Sequence, residues 1–262
     1  MVVIFDVGNT NITVGVFKDE NILFDFRLRT NIGYTDDQYF THIKSLLAEN
    51  NINVKDISGG MIGSVVPAIT GHFVSMFEKY FKREPLLISE TARLNFRNKY
   101  KNKREVGDDR LANAAAACRF YPGGDVVVVD FGTTINFDVI KGGGSYLGGV
   151  IIPGISMSLH GLSSKTARLP QIDMKYPKKT IGNTTEGSIQ SGMLNGVIGS
   201  INYIVENIKK EMRSKKIKVI FAGGQVNKSV LGKMKEKDIV VDRDFTLKGF
   251  KVIYDINAKK RK

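Results

Sequence analysis

The chain of 262 residues can bury a sizeable core and lies near the length at which one core divides into two. Its 42% hydrophobic and 25% charged residues are typical of an ordinary globular protein. The net charge of +13 fits either a nucleic-acid-binding surface or a solvated surface that attracts anionic substrates. No helix-turn-helix, zinc or RNP motif accompanies the charge, so we expect no nucleic-acid partner.

The sequence also bears on location. No apolar run reaches the roughly 18 residues that a membrane-spanning helix needs. The first residues, MVVIFDVGNT, lack the basic start and the cleavage site of a secretory signal, and they read instead as a strand followed by a turn. The single cysteine, Cys118, cannot form an internal disulfide. We therefore expect a cytoplasmic protein without membrane contact.

The first predicted strand and its turn recur near the middle of the chain. Residues 2–10 read VVIFDVGNT and residues 126–134 read VVVVDFGTT, with five of nine positions identical and an offset of 124 residues. Self-similarity at this spacing indicates two copies of one domain. An alternating segment follows each turn, so each half is predicted to open with a buried strand, a tight turn and an antiparallel meander.

Further helices and strands are predicted along each half. In the first half, apolar spacing predicts helices at residues 36–49 and 68–82, and the runs SGGMIGSVV and PLLIS predict strands. In the second half, IKVIFAGG predicts a strand whose final glycines either let a base or ribose lie against the backbone or turn into a helix at 227–236.

A long helix is predicted at about residues 186–212, and it contains an unusual number of glycines. Each interior glycine costs about 1 kcal/mol relative to alanine, so such a helix usually needs close approach of another backbone. Packing within the chain, a subunit interface and a ligand-facing role are all open. The glycines are Gly187, Gly192, Gly196 and Gly199.

Strands followed by alternating helix and strand, occurring twice, predict an α/β fold with two lobes. We expect each lobe to be a mixed sheet flanked by helices. The predicted lobes are residues 1–115 and 116–262, and the last segment, about 245–262, is a candidate to pack back on the first lobe.

Each copy of the repeat carries a loop with an acid, a tight turn and a threonine. Asp6 to Thr10 and Asp130 to Thr134 place a carboxylate at a strand end, followed by exposed backbone N–H groups and a hydroxyl. Such a turn suits phosphate oxygens, and the carboxylate can hold hydrated Mg²⁺. A single loop of this kind is also a common hairpin, but two loops can hold a polyphosphate from both sides. The sequence contains neither a P-loop nor the protein-kinase motifs.

The segment Glu105-Val106-Gly107-Asp108-Asp109-Arg110 precedes the helical run LANAAAACRF. An acid at this position can cap the helix. Two acids followed by arginine also suit phosphoryl transfer to an alcohol, which needs a carboxylate to accept the hydroxyl proton and a cation to hold the acceptor. On the residues alone, capping and catalysis both remain open.

Together these motifs resemble the type III pantothenate kinase family, in order and over nearly the whole chain. The resemblance implies the actin-like (ribonuclease H-like) fold of the actin, sugar-kinase and Hsp70 superfamily. It also implies ATP-dependent phosphorylation of pantothenate to 4′-phosphopantothenate, the first step of coenzyme A biosynthesis. The segments that carry it are D-V-G-N-T at 6–10, E-V-G-D-D-R at 105–110, V-D-F-G-T at 129–133, G-G-V-I-I-P-G at 148–154, T-A-R-L-P at 166–170 and T-E-G-S-I-Q-S-G at 185–192.

The resemblance further implies cofactors, a homodimer and residue roles. Asp109 matches the residue that accepts the proton of the pantothenate hydroxyl, Asp6 matches a magnesium ligand, and Asp130 matches the ligand of a monovalent cation, potassium or ammonium. Thr185 matches the residue that reaches the pantothenate of the partner subunit. The implied ATP contacts are Asp6, Val7, Gly8, Asn9, Thr10, Asn11, Ile12, Thr13 and Thr133, and the implied pantothenate contacts are Tyr100, Gly107, Asp108, Asp109, Arg110 and Thr185.

Three features depart from the family pattern. Thr134-Ile135-Asn136 replaces the usual A-T-T of the second loop, Ala222 stands where threonine is usual, and Asp108 stands where alanine is common. Asp108 is expected to raise the pKa of Asp109 by like-charge coupling. Two other functions stay open: another small-molecule kinase of the superfamily, such as a sugar kinase, and a transcriptional accessory factor, which the altered loop and the basic tail at 259–262 would fit.

Overall fold

The computed structural model describes residues 1–88, 92–165, 172–214, 216–226 and 228–258. The chain divides into two compact units, the first formed by Met1–Phe120 with Phe245–Lys262 and the second by Tyr121–Asp244. The T-A-R-L-P segment at 166–170 and the basic tail at 259–262, both singled out in the sequence, lie outside the described residues.

The first unit is built on a mixed five-stranded sheet. Its strands are β1 (Val2–Val7), β2 (Asn11–Lys18), β3 (Asn21–Arg29), β4 (Gly59–Ser64) and β5 (Leu86–Leu87), and a further two-residue strand is β6 (Arg97–Asn98). The sheet order is β3-β2-β1-β4-β5. β1 pairs antiparallel with β2 and parallel with β4, so the meander and the crossover strand both adjoin β1.

The helices of this unit largely follow the predicted apolar spacing. They are α1 (Asp36–Glu49), α2 (Pro67–Met76), a π-helical turn (Phe77–Phe81) and α3 (Asp108–Phe120), with 3₁₀ turns at Val54–Asp56 and Lys103–Glu105. Thr35 caps α1 through a capping box with Gln38, which explains why the helix begins where the sequence predicts. Pro67 begins α2, and Lys82, with φ +55°, ends the π-helical turn.

Alternation along β1 decides which side chains enter the core. Val3, Phe5 and Val7 belong to the apolar cluster that includes α1 and α2, and the ring centroids of Phe5 and Phe73 lie 5.5 Å apart. Because successive strand residues point to opposite faces, Asp6 lies on the other face of the sheet from these core residues. That position keeps the carboxylate at the end of β1 away from the apolar cluster.

The second unit repeats the strand plan of the first. Its elements are β7 (Asp125–Phe131), β8 (Thr134–Lys141), β9 (Ser145–Pro153), α4 (Ile155–Lys165), α5 (Thr185–Glu211), β10 (Ile217–Ala222), α6 (Lys228–Leu231) and β11 (Ile239–Val241). Its five strands lie in the order β9-β8-β7-β10-β11. β7 pairs antiparallel with β8 and parallel with β10, as β1 does with β2 and β4. The duplication predicted from the sequence is thus confirmed in the topology.

The long helix α5 begins one residue before the predicted start, where the Thr184 side chain accepts a hydrogen bond from Gly187 N at 3.0 Å. A Cβ added at Gly192, Gly196 or Gly199 would meet no described atom within 4 Å. Packing among the described residues therefore does not account for these three glycines. The helix predicted at 227–236 is much shorter, because α6 ends at Leu231 in turns of 3₁₀ type.

The final helix, α7 (Phe245–Ala258), belongs to the first unit although it follows the whole second unit in the chain. Thr246 Oγ1 donates to Asn113 Oδ1 of α3 at 2.9 Å, and the Phe250 ring lies against Gly63 of β4. α3 is continuous to Phe120, so the division between the units follows the end of this helix, five residues beyond the sequence-based boundary. No described helix combines the length and the apolar composition needed to cross a membrane.

Candidate active site

The turn between β1 and β2 is stabilised by hydrogen bonds from Thr30, which follows β3. Thr30 Oγ1 donates to Gly8 O at 2.6 Å, and Thr30 N donates to Thr10 O at 3.0 Å. Gly8 N donates to Asn11 O at 3.1 Å, and a Cβ at Gly8 would lie 2.9 Å from that oxygen. Glycine therefore permits the tight turn. The sequence did not single out Thr30, since a hydrogen bond to a backbone 22 residues away has no local signature.

The structure separates the residues predicted at this turn into two groups. Asn9, Thr10 and Asn11 are exposed at the tip of the turn. Val7 and Ile12 are both fully buried, so only their backbone could contact a nucleotide. Asp6 is half-buried and lies directly across from Thr13 in the antiparallel register. The pair therefore shares one face at the strand end.

Strand β4 connects the acids at the start of α3 to the end of β1. Val7 is in register with Ser64, and Ser64 N donates to Asp108 Oδ2 at 2.9 Å. Asp109 Oδ1 accepts a hydrogen bond from Arg110 N at 2.8 Å. Residues about 100 positions apart in sequence thus meet where the strands β1 and β4 of a single sheet end. Arg110 N also donates to Gly107 O at 3.0 Å, so the hydrogen bond to Asp109 does not decide between the capping and catalytic roles that the sequence left open.

Burial changes the proton affinity of both acids. Burial raises the pKa of Asp108 to about 6. The negative charge of Asp109 also raises this pKa, whereas the hydrogen bond from Ser64 N lowers it. Burial also raises the pKa of Asp109, although the backbone N–H and the guanidinium of Arg110 both lower it. Burial is the main cause of the raised pKa at both acids. The like-charge coupling that the sequence predicted for Asp109 contributes to the pKa of Asp108 instead. A carboxylate with a raised pKa is the better proton acceptor.

The other residues predicted for the acceptor surround Asp109 in the same unit. Arg110 is 6% exposed, and its Cζ lies 5.8 Å from the centroid of the half-buried Tyr100 ring. This geometry fits a cation–π interaction that orients the guanidinium. A Cβ at Gly107 would lie 2.6 Å from Asp109 Oδ1, so glycine leaves room for the carboxylate. Thr185 belongs to the second unit, where it is the exposed first residue of α5.

We expect Gly107→Ala to lower kcat by about tenfold or more, because the added methyl group occupies the position of the Asp109 carboxylate and displaces it. Steady-state turnover, measured beside the thermal midpoint, checks this. Gly33→Ala is a matched control in a turn of the same unit, where a Cβ would meet Asn31 Oδ1 at an ordinary 3.4 Å. Unchanged kcat in Gly107→Ala would contradict the proposed position of Asp109.

The second loop places Asp130 beside a glycine in left-handed conformation. Gly223 has φ +85°, and a Cβ there would lie 2.4 Å from Asp130 Oδ1. Glycine is therefore required both by the backbone and by the adjacent carboxylate. Thr133, the predicted ATP contact, is half-buried, and its carbonyl accepts a hydrogen bond from Gly154 N at 3.0 Å. Gly154 must also lack a side chain, since its Cβ would lie 2.4 Å from that carbonyl.

The departure at Thr134-Ile135-Asn136 has a structural explanation. Ile135 is 1% exposed in the apolar core, so its side chain contacts no nucleotide. Asn136 is in register with Asp130, and its Oδ1 accepts a hydrogen bond from Thr134 Oγ1 at 3.0 Å. The amide therefore lies on the same face as Asp130. In the first unit, Ile12 and Thr13 hold the corresponding positions opposite Val7 and Asp6.

Residues 2–207 match the family model described as type III pantothenate kinase. The chain belongs to this family. It is 38% identical over 259 residues to a type III pantothenate kinase of Finegoldia magna, an alignment that covers 98% of each chain. These matches favour pantothenate phosphorylation over the sugar-kinase and accessory-factor alternatives.

Solved structures with low sequence identity show the same fold. A Campylobacter jejuni protein described as a Baf family transcriptional activator gives a TM-score of 0.60 at 19% identity, over 98% of this chain and 99% of that one. A Sinorhizobium meliloti protein described as a 2-dehydro-3-deoxygalactonokinase gives 0.61 at 9% identity, over 99% and 96%. The actin-like α/β fold implied by the sequence is thereby confirmed.

Proposed function

We propose that this chain transfers the terminal phosphoryl group of ATP to the hydroxyl of pantothenate, giving 4′-phosphopantothenate. The observation that carries the proposal is the half-buried Asp109 with its raised pKa, next to Arg110 and Tyr100 at the sheet edge where β1 ends. Family membership and the Finegoldia magna relative support it. As an enzyme of coenzyme A biosynthesis it would act in the cytoplasm.

In this proposal Asp109 accepts the proton of the acceptor hydroxyl as the oxygen attacks the phosphorus atom. The Arg110 N–H fixes the Asp109 carboxylate through a hydrogen bond to Oδ1. The Arg110 guanidinium, oriented against Tyr100, would hold an oxygen of the acceptor. The rigidity of these contacts favours an aligned attack.

ATP would bind with its phosphates at the β1–β2 turn, whose residues Asn9, Thr10 and Asn11 are exposed. Among the described residues no group of three or more His, Cys, Asp or Glu forms a metal cage. Mg²⁺ keeps several of its waters and is commonly held by one or two carboxylates together with substrate phosphates. The half-buried carboxylate of Asp6 fits this role. Bound Mg²⁺ neutralises polyphosphate charge.

A monovalent cation would bind at Asp130. Gly223 lets the backbone approach Asp130 Oδ1 closely, where a side chain would collide with that oxygen. Carboxylate and amide oxygens are donors that suit a hard cation. The amide oxygen of Asn136 faces the same side of the sheet. Potassium and ammonium are the candidates that the family resemblance implies.

We also propose that the chain acts as a homodimer in which Thr185 reaches the pantothenate of the partner subunit. The exposed position of Thr185 and the open space beside Gly192, Gly196 and Gly199 of α5 support this arrangement. The four residues are all on one helix, so a single helix could provide both contacts.

The proposal is tested by ADP release from ATP with pantothenate present or absent, in potassium, ammonium or sodium chloride at equal ionic strength. We expect release to require pantothenate and to be at least about tenfold faster with potassium or ammonium. Asp130→Asn should remove the difference between the salts, because the variant loses the anionic ligand. ADP release that is independent of pantothenate would refute the function, and equal rates in all salts would refute the cation site alone.

A further inference from the structure

A cavity of about 1100 Å³ opens beside the start of α3 in the first unit. Its volume is near the upper end of that of small-molecule sites. Its apolar lining includes Phe96, Val106 and Leu111, which are all buried, and the half-buried Ile88 and Leu94. The cavity therefore offers an apolar surface to a ligand with a hydrocarbon or aromatic body.

The lining of this cavity differs from that of the proposed site of phosphoryl transfer. Asp108 is the one predicted pantothenate contact among the described residues that line it. The proposed proton acceptor, Asp109, and its neighbour Arg110 are not among these residues. Asp108 Oδ2 accepts the hydrogen bond from Ser64 N at 2.9 Å, which fixes this carboxylate in the wall. The cavity and the transfer site thus adjoin the same helical turn but present different side chains to a ligand.

The rim of this cavity is strongly cationic. Five basic residues of the segment 97–104 line it, and all of them are exposed. Asp108 is the one carboxylate among the described lining residues. The first four rim residues in the chain form no ion pair with any residue that the structure describes. The rim residues are, in chain order, Arg97, Lys99, Lys101, Lys103 and Arg104.

The acid that follows the rim in the chain, Glu105, is engaged elsewhere. Asn102 Nδ2 donates to Glu105 Oε1 at 2.8 Å across the 3₁₀ turn at Lys103–Glu105, and Glu105 is not among the described lining residues. A cleft lined by one sign of charge concentrates ligands of the opposite charge and raises their association rate. The rim therefore favours an anionic ligand over an uncharged one.

We propose that this cavity is a second small-molecule site, separate from the site of phosphoryl transfer, for an amphipathic anion. Such a ligand has a hydrocarbon or aromatic body and carries a carboxylate, sulfonate or phosphate group. Its body packs against the floor at Phe96, Val106 and Leu111, and its anionic group lies at the rim. Both parts are needed, because exposed lysines alone hold an anion weakly. Binding of this kind does not depend on the proposed phosphoryl transfer.

The test uses two fluorescent probes that share one aromatic body. The anionic probe is 8-anilinonaphthalene-1-sulfonate, and the neutral probe is N-phenyl-1-naphthylamine, which lacks the sulfonate. We expect the anionic probe to bind the full chain at least about tenfold more tightly than the neutral one. A rim variant that combines Lys99→Gln, Lys101→Gln and Lys103→Gln should bind the anionic probe about tenfold more weakly and the neutral probe within about twofold of the unchanged protein.

The matched control combines Lys18→Gln, Lys44→Gln and Lys55→Gln, three exposed lysines of the same unit, and has the same net charge as the rim variant, three below +13. It should bind both probes as the unchanged protein does. Leu94→Ala tests the floor, because it shortens a half-buried side chain of the lining. It should weaken binding of both probes by about threefold or more, since it removes apolar contact.

Competition by the substrates tests whether the two sites are separate. Saturating pantothenate and saturating Mg-ATP, added one at a time, should leave the anionic probe bound, because the two sites have different linings. Displacement of the probe by either substrate, equal losses in the rim and control variants, or unchanged binding in Leu94→Ala would overturn the proposal. Probe binding needs no turnover, so absence of pantothenate phosphorylation would refute the proposed function alone.

Discussion

Asp109→Asn is expected to lower kcat by about 10²–10⁴-fold while the fold is retained. The amide keeps the shape of the carboxylate, and its oxygen can still accept the hydrogen bond from Arg110 N. The variant cannot accept a proton from the acceptor hydroxyl at neutral pH. Steady-state ADP release, measured with binding of pantothenate and with the urea unfolding midpoint, separates lost catalysis from lost structure.

Asp108→Asn is the matched control for this prediction. Asp108 adjoins Asp109 and is also half-buried, but its Oδ2 is occupied by the Ser64 N–H. Its replacement should therefore change kcat by less than about tenfold, since it is not the residue that takes the proton. Near-normal turnover in Asp109→Asn, or equal losses in the two variants, would show that the assignment of the base is wrong.

Gly249→Ala is expected to destabilise the first unit by about 3 kcal/mol, the upper end of the cost of overpacking. A Cβ at Gly249 would lie 1.9 Å from Ala112 O, and a backbone oxygen cannot rotate away as a side chain can. α7 would have to move off α3, which also separates Thr246 from Asn113. Urea unfolding followed by circular dichroism measures the loss.

Gly71→Ala makes the same chemical change in helix α2 of the same unit, where a Cβ would meet no described atom within 4 Å. Here alanine should stabilise the protein by up to about 1 kcal/mol, because it reduces the conformational freedom of the unfolded chain. If both variants had the same stability, close packing of α7 on α3 would be excluded as the reason for Gly249.

The sequence predicts the strand plan because the repeat appears in its letters. Asp6 and Asp130 stand at equivalent strand ends, and both are followed by glycine, so one topology applies to both units. The same sequence comparison is misleading at Ile135, because it places this residue in the phosphate loop at a position where the family has a threonine. The second hairpin is one residue shorter than the first, and pairing with Phe131 directs Ile135 into the core.

Other parts of the site have no local signature. Ser64 donates its backbone N–H to Asp108, and the Thr30 hydroxyl donates to the backbone carbonyl of Gly8. One partner in each bond is a backbone group, which any residue could supply. Likewise, apolar spacing within one segment does not reveal that Thr246 of α7 donates a hydrogen bond to Asn113 of α3.

The position of α7 has a consequence for biosynthesis. The second unit is one uninterrupted stretch of chain, so it can complete its core as soon as its own residues leave the ribosome. The first unit, although made earlier, must wait for a helix that emerges after all of the second. Its nascent form therefore presents the apolar bed of α7, including the backbone at Gly63 and Ala112, to chaperones until translation has passed Ala258.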